Sequence, residues 1–330
     1  MSAQHAAVKH ELLVRHLDAW TPAALHGHKR VTYLDAYADA AGGAGPGDGS
    51  AVAALRVFGE FADLLERHRL TMVLVGDDAA RLDELSKRLG EVAAEYDSPA
   101  GLSVHTAAGG CAVSLIPALR ETKALGSPIF GWFDSYGSVS PPFAAVSTVA
   151  GNKASEVLLS LSPESLGDDA PYPRLVSDYR RTLGKAGLGL AAHVELVDDG
   201  GQAELLVFGT SSEKGLDKFK DELWALDEYA GIRYRDPRDE EHTLLNISLQ
   251  ANLGPLRRAL SERVVHTGAS TASELRTWAV HETVYRAADA MKALQALVSA
   301  GVVERSPTAG RLSPDTVIRA AGAAESDDDE

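Results

Sequence analysis

The apolar positions of this chain switch repeatedly between helical and strand spacing. From Val8 to Trp20, residues Leu12, Leu13, His16, Leu17 and Trp20 fall near one face, which predicts an amphipathic helix. A short apolar run, Arg30 to Asp35, then predicts a strand that ends on an acid. Further strands are expected at Leu70–Val75, Leu102–Thr106, Pro128–Asp134 and Glu156–Leu161. Helical patterns separate them, at Ala51–Arg67, Arg81–Glu95, Ser114–Leu125 and Phe143–Val149. The loop Gly42 to Ser50 holds five glycines and a proline, and Ser50 is the expected cap of the helix that follows.

This alternation predicts an α/β fold with a mostly parallel, doubly wound, Rossmann-like sheet. Residues Ala192–Val197 and Ala203–Gly209 flank Asp198-Asp199-Gly200-Gly201 and read as a β-hairpin. A doubly wound sheet that ends in an antiparallel hairpin is the architecture of class I methyltransferases, although edge hairpins occur in other α/β folds.

The C-terminal pattern differs. Ser270 or Thr271 is expected to cap a short helix through Ala279, and Thr283 a longer one, Val284 to Ala300, closed by Gly301. Val302–Arg305 and Gly310–Ser313 are then expected to pair as a wing, which gives a winged-helix order. The expected division is an α/β domain over 1–256, a winged helix over 257–320 and a disordered acidic tail over 321–330.

Charge supports that division. The chain has 330 residues and a formal net charge of −15, which argues against broad nonspecific affinity for nucleic acid. From Arg257 to Ala320, however, 9 basic residues face 6 acidic ones. A mildly basic segment therefore sits on an acidic body. The single cysteine, Cys111, excludes an internal disulfide and a cysteine-rich metal or cluster site. No metal-ligand spacing, P-loop or nucleophile elbow is present. No apolar run reaches the ~20 residues that span a bilayer, and no signal-peptide core is seen near the start, so a soluble cytoplasmic protein is expected.

Candidate chemistry lies at strand ends, where doubly wound sheets bind ligands. Asp35, Tyr37, Asp39 and Gly42 follow the first strand and line the loop that would pass under a nucleoside cofactor. Asp35 also fits a plain strand-end cap. Asp77 follows the second strand, where an acid can accept from ribose hydroxyls, but Asp77 and Asp78 equally fit the first turn of a helix. After the fourth strand, Asp134 and Tyr136 match an acid that accepts from a target amine and an aromatic that stacks on a planar base; a strand-end turn with a packed tyrosine is the alternative. Arg276, Arg286, Lys292, Arg305 and Arg311 are candidate phosphate contacts of the winged helix, which could equally mediate protein contacts.

Several short motifs, in order, resemble the three-Cys-motif partner proteins. They are Lys9-His10-Glu11-Leu12-Leu13 with Trp20, Tyr33-Leu34-Asp35-Ala36-Tyr37-Ala38, Gly49-Ser50-Ala51, Phe133-Asp134-Ser135-Tyr136-Gly137, Tyr179-Arg180, Phe208-Gly209-Thr210-Ser211 with Lys214-Gly215-Leu216, and Leu223-Trp224. The resemblance implies a methyltransferase-like scaffold that pairs with a three-cysteine protein of the radical S-adenosylmethionine type. It also implies departures in the cofactor pocket. Asp39 stands where that family has the first loop glycine, Ala40 and Ala41 replace its proline and second glycine, and Ser135-Tyr136 replaces its Pro-Phe. An unpaired charge there can cost several kcal/mol, against the ~8 kcal/mol of a micromolar ligand.

The leading expectation is therefore an accessory subunit with a degenerate S-adenosylmethionine pocket, assisting a three-cysteine radical enzyme in nucleic-acid repair or modification. The alternatives are an active S-adenosylmethionine-dependent methyltransferase and a winged-helix DNA-binding regulator.

Overall fold

The computed structural model describes residues 2–40, 49–137, 139–162, 172–226, 232–238, 241, 243–245 and 251–322. Gly42 and the acidic tail from 323 onward lie outside them. The opening helix, α1 (Ala3–Gly27), is longer than the apolar stripe alone predicts, because Ser2 caps it by accepting from the His5 amide at 3.3 Å. Strands β1 (Arg30–Asp35), β2 (Arg69–Gly76), β3 (Leu102–Ala108), β4 (Ile129–Asp134) and β5 (Glu156–Leu161) alternate with α2 (Ser50–Gly59), α3 (Ala62–Leu65), α4 (Ala79–Ala94), α5 (Cys111–Glu121) and α6 (Phe143–Ala150). After α7 (Tyr172–Ala186) come the expected hairpin strands β6 (Leu190–Val197) and β7 (Ala203–Thr210), then α8 (Glu213–Ala225). Two short strands, β8 (Arg233–Arg235) and β9 (Leu244–Leu245), were not foreseen.

The strand order is β3-β2-β1-β4-β5-β7-β6-β8-β9. The first five are mutually parallel, and β7 enters antiparallel between β5 and β6. This is the class I methyltransferase order, extended at one edge by β8 and β9. Helices α1, α2, α4 and α8 contribute to the apolar core on one face, and α5, α6 and α7 to the core on the other. The four acids that matter below reach one edge of this sheet: Asp35 ends β1, Asp77 follows β2, Asp134 ends β4, and Glu204 lies near the start of antiparallel β7. No helix among the described residues is long and apolar enough to cross a membrane.

The C-terminal part contains α9 (Gly254–Thr267), β10 (Ser270–Thr271), α10 (Ala272–Glu282), α11 (Ala287–Ser299), β11 (Val303–Ser306) and β12 (Val317–Ala320). Thr271 caps α10 in a reciprocal capping box with Glu274. Three details differ from the sequence reading. Thr283 does not cap the next helix; its hydroxyl donates back to the Ala279 carbonyl, and α11 starts later, at Arg286 with Asp289. The partner of β11 is β12 and not residues 310–313, because the connection runs further before it can return. The boundary at 256/257 falls inside the first turn of α9, which the apolar pattern did not separate from the preceding segment.

This part is fastened to the sheet edge by buried polar contacts. Lys220 of α8 is fully buried, and its ammonium donates to the carbonyls of Val280, of Thr283 at 2.6 Å and of Tyr285 at 2.9 Å. Trp224 Nε1 donates to the Val284 carbonyl at 3.0 Å. Glu282 at the end of α10 pairs with Arg180 of α7 and, at 3.3 Å, with Arg238. The α10–α11 turn is thus anchored on both sides of β6. Lys220→Met would strand three carbonyls away from water, and an unmade buried bond costs about 1–3 kcal/mol. Urea unfolding of Lys220→Met is expected to show a loss of at least about 3 kcal/mol; a loss below about 0.5 kcal/mol would contradict this anchoring role.

Candidate functional site at the carboxyl edge of the sheet

Asp134 is where a class I scaffold would present its acceptor-binding acid. It is 1% exposed, and its Oδ1 accepts from the Tyr136 amide at 2.9 Å. Its other oxygen is 2.8 Å from Nζ of Lys9. The same ammonium lies 2.7 Å from Glu204 Oε1 and donates to Ser160 Oγ at 3.1 Å. Lys9 comes from α1, and its side chain is fully buried. Burial alone would lower its pKa, but Asp134 and Glu204 outweigh burial and raise it. The acid at the end of β4 is thus paired with an amine of the chain itself.

Tyr136 completes the enclosure. It holds a left-handed backbone, φ +54°, and Lys9 Nζ stands 5.2 Å from its ring centroid. Its hydroxyl is 2.8 Å from His10 Nε2. Burial raises the Tyr136 phenol and lowers the His10 imidazole relative to their ordinary values. The half-buried ring therefore packs on an internal cation.

Asp35 is equally enclosed. It accepts from the Ser50 hydroxyl at 2.5 Å and from the Tyr37 amide at 3.1 Å. Ser50 thus serves Asp35 and not the helix terminus, where Gly49 occupies the cap position. Burial pushes the Asp35 carboxyl up to about 7, against the lowering effect of these donors. The ring of Tyr37 is buried, and burial pushes the Cys111 thiol up to about 11. An undissociated thiol is a poor nucleophile.

Asp39 does what the missing glycine could not. Its Oδ2 accepts from the Asp78 amide at 2.7 Å. Its carboxyl carbon lies 2.5 Å from where a Cβ on Gly76 would stand, so only glycine at 76 admits it. The Ala38 amide donates to the Val75 carbonyl at 2.8 Å, which draws the loop down onto the end of β2. Asp78 caps α4, accepting from Ala80 and Arg81 amides at 2.9 and 3.2 Å. Asp77 is exposed beside Gly110. Of the cofactor candidates among the described residues, Asp35 and Asp39 are committed to internal partners and Asp77 is open to solvent. Gly42 lies outside the described residues, and no group of three or more His, Cys, Asp or Glu among them could hold a metal ion.

Sequence reasoning brought Asp35, Tyr37, Asp39, Asp77, Asp134 and Tyr136 to one edge but missed Lys9, His10, Ser50 and Glu204. A signal for Lys9 existed. It shares the stripe of Leu12, Leu13, His16 and Trp20, so a lysine at that spacing must be buried with a partner.

The five basic candidates of the C-terminal part separate into two groups. Arg286 pairs with Asp289 at 2.7 Å and lies over Trp224, 5.2 Å from the ring centroid. Arg305 donates to the carbonyls of Pro307, Ala309, Gly310 and Arg311 in its own connection. These two hold internal partners. Arg276, Lys292 and Arg311 are exposed.

No protein-family model and no curated protein matches the chain. Among solved structures it is similar to EvdMO1, with 14% identity and a TM-score of 0.36 over 60% of this chain and 40% of that one. It is also similar to precorrin-6y C5,15-methyltransferase from Geobacter metallireducens GS-15, with 14% identity and a TM-score of 0.31 over 59% of this chain and 87% of that one. A third is the 16S rRNA (adenine(1408)-N(1))-methyltransferase W203A mutant from Catenulisporales acidiphilia, with 14% identity and a TM-score of 0.33 over 60% and 92%. At these scores, the strand order remains what identifies the fold.

Two outcomes follow from the buried charges. Lys9→Met would leave two carboxylates buried without their cation and is expected to cost about 3–5 kcal/mol in urea unfolding. Adding Asp134→Asn and Glu204→Gln should recover most of that loss; simple additivity would show that the three do not act as one network. For Asp35, the folded chain holds its proton more tightly than the unfolded chain. Its contribution is fully present below about pH 4 and is lost as pH rises through about 7. The stability difference between wild type and Asp35→Asn should therefore depend on pH across that window, with a limiting slope of about 1.4 kcal/mol per pH unit, and a flat difference would contradict it.

Proposed function

We propose that the chain is a noncatalytic accessory subunit built on a methyltransferase-like scaffold, and that it assists a three-cysteine radical S-adenosylmethionine-type enzyme acting on nucleic acid. The observation that carries the noncatalytic part is the Lys9–Asp134 pair at 2.8 Å. In an amine methyltransferase, the acid must be free to accept from the incoming amine and to orient its lone pair. Here an ammonium carried by α1 stands against that acid as a buried ion pair. The partner role rests on the sequence resemblance, and the single cysteine accords with the partner and not with the cluster carrier. On this reading, the protein is soluble and cytoplasmic and residues 254–322 act as a winged-helix-type module.

A second reading, an active S-adenosylmethionine-dependent methyltransferase, is favoured by one observation: Asp77 remains exposed after β2, where a ribose would be held. A DNA-binding regulator gains less support, because Arg286 and Arg305 are spent internally.

Calorimetric titration with S-adenosylmethionine separates the first two readings. The accessory reading predicts no binding heat at millimolar cofactor. Micromolar binding that Asp77→Ala abolishes would instead establish the enzyme reading. Co-expression with a three-cysteine radical enzyme from the same genome should give a stable complex by size-exclusion chromatography with light scattering, and separate elution of the two proteins would contradict the partnership.

A further inference from the structure

The sequence offered five cations as phosphate contacts, and the fold gathers two of them into one concave place. A groove of about 400 Å³ lies between α10, α11 and the β11–β12 connection. Ser273 and Arg276 line it from α10, Met291 from α11, and Arg311, Leu312 and Ser313 from the connection. Its floor is apolar, with Leu312 buried and Met291 half-buried. Arg276 and Arg311 are exposed, and neither guanidinium has an ion pair or hydrogen bond among the described residues.

The groove is held in shape before any ligand arrives. The Ser273 amide donates to the Pro314 carbonyl at 2.9 Å, and the Ala272 amide to the Thr316 carbonyl at 2.8 Å. Arg305 gathers four carbonyls of the connection, including that of Arg311. A pre-shaped site loses less freedom on binding. Local acids are a modest counterweight. Glu274 turns its carboxylate back to the Thr271 amide at 2.7 Å and hydroxyl at 2.9 Å, while Asp315 is exposed and Lys292 adds an exposed cation beside Met291.

We propose that this groove binds a nucleotide phosphate, either free or in a nucleic-acid backbone. Guanidinium forks match phosphate oxygens bidentately, and the Ser273 hydroxyl adds a neutral donor. The apolar floor suits the sugar or base beside the phosphate better than a bare inorganic anion. On a chain of net charge −15, this is a local contact and not a general affinity for polyanions. The proposal does not depend on the accessory role.

The test uses the full chain and two probes, a fluorescein-labelled short DNA duplex followed by anisotropy and adenosine monophosphate as competitor. The variant Arg276→Gln/Arg311→Gln is compared with wild type and with Lys87→Gln, an exposed residue on distant α4. Thermal unfolding should be unchanged in both. The double variant is expected to bind the duplex at least about tenfold more weakly at low salt, with the slope of log affinity against log salt flatter by about two contacts. Displacement by adenosine monophosphate would identify free nucleotide as a ligand, and resistance to it would identify the backbone; either supports the groove. Equal binding by the double variant and wild type, or no wild-type binding of either probe, would overturn it.

Discussion

One ammonium governs how this molecule is assembled. Lys9 reaches from α1 to Asp134 at the end of β4, Ser160 near the end of β5 and Glu204 near the start of β7. These strands are neighbours in the sheet, so a single side chain ties the first helix across its centre. In a low-dielectric interior, none of the three charges is tolerable without the others. The surrounding packing of Leu12, Leu13 and Leu17 supplies the apolar drive, but the ion network fixes how α1 lies on the sheet. His16 repeats the device one level lower, its Nε2 3.0 Å from Glu156 Oε2.

The same constraint decides the chemistry. A methyltransferase scaffold needs an open acid on β4 and a bare backbone loop after β1. Here the acid is neutralised from within, and the loop is weighted with Asp39, which bonds to the Asp78 amide. Asp35, the remaining buried acid, is occupied by Ser50 and the Tyr37 amide. The atoms that make these stabilising contacts are the ones a ligand at this edge would need. Asp77 remains outward-facing at this edge. The outward-facing cations of the C-terminal part, Arg276 and Arg311, lie elsewhere, beside α10 and α11.

Much of the architecture was legible because its signals are local. The spans of β1 and β5 match the apolar runs, and the hairpin around Asp198–Gly201 follows its turn residues. The start of α10 was expected at Ser270 or Thr271, and Thr271 caps it. The failures arise where another partner, local or tertiary, overrides the simplest local preference. Ser50 looks like a helix cap until Asp35 claims its hydroxyl, and Thr283 until the Ala279 carbonyl does. The return strand β12 and the short β8 and β9 depend on long-range pairing that no local pattern encodes. The site was half legible. Strand-end acids are visible in sequence, but which cation meets them, from 125 residues away in the case of Lys9 and Asp134, is not.

The most direct test follows the Lys9 ammonium itself. In protein labelled with ¹⁵N-lysine, its side-chain signal should show slow proton exchange and should move in Asp134→Asn. It should stay in place through millimolar S-adenosylmethionine. A Lys9 signal that exchanges as fast as surface lysines, or that shifts when the cofactor is added, would show that the acceptor position can open and would contradict the account.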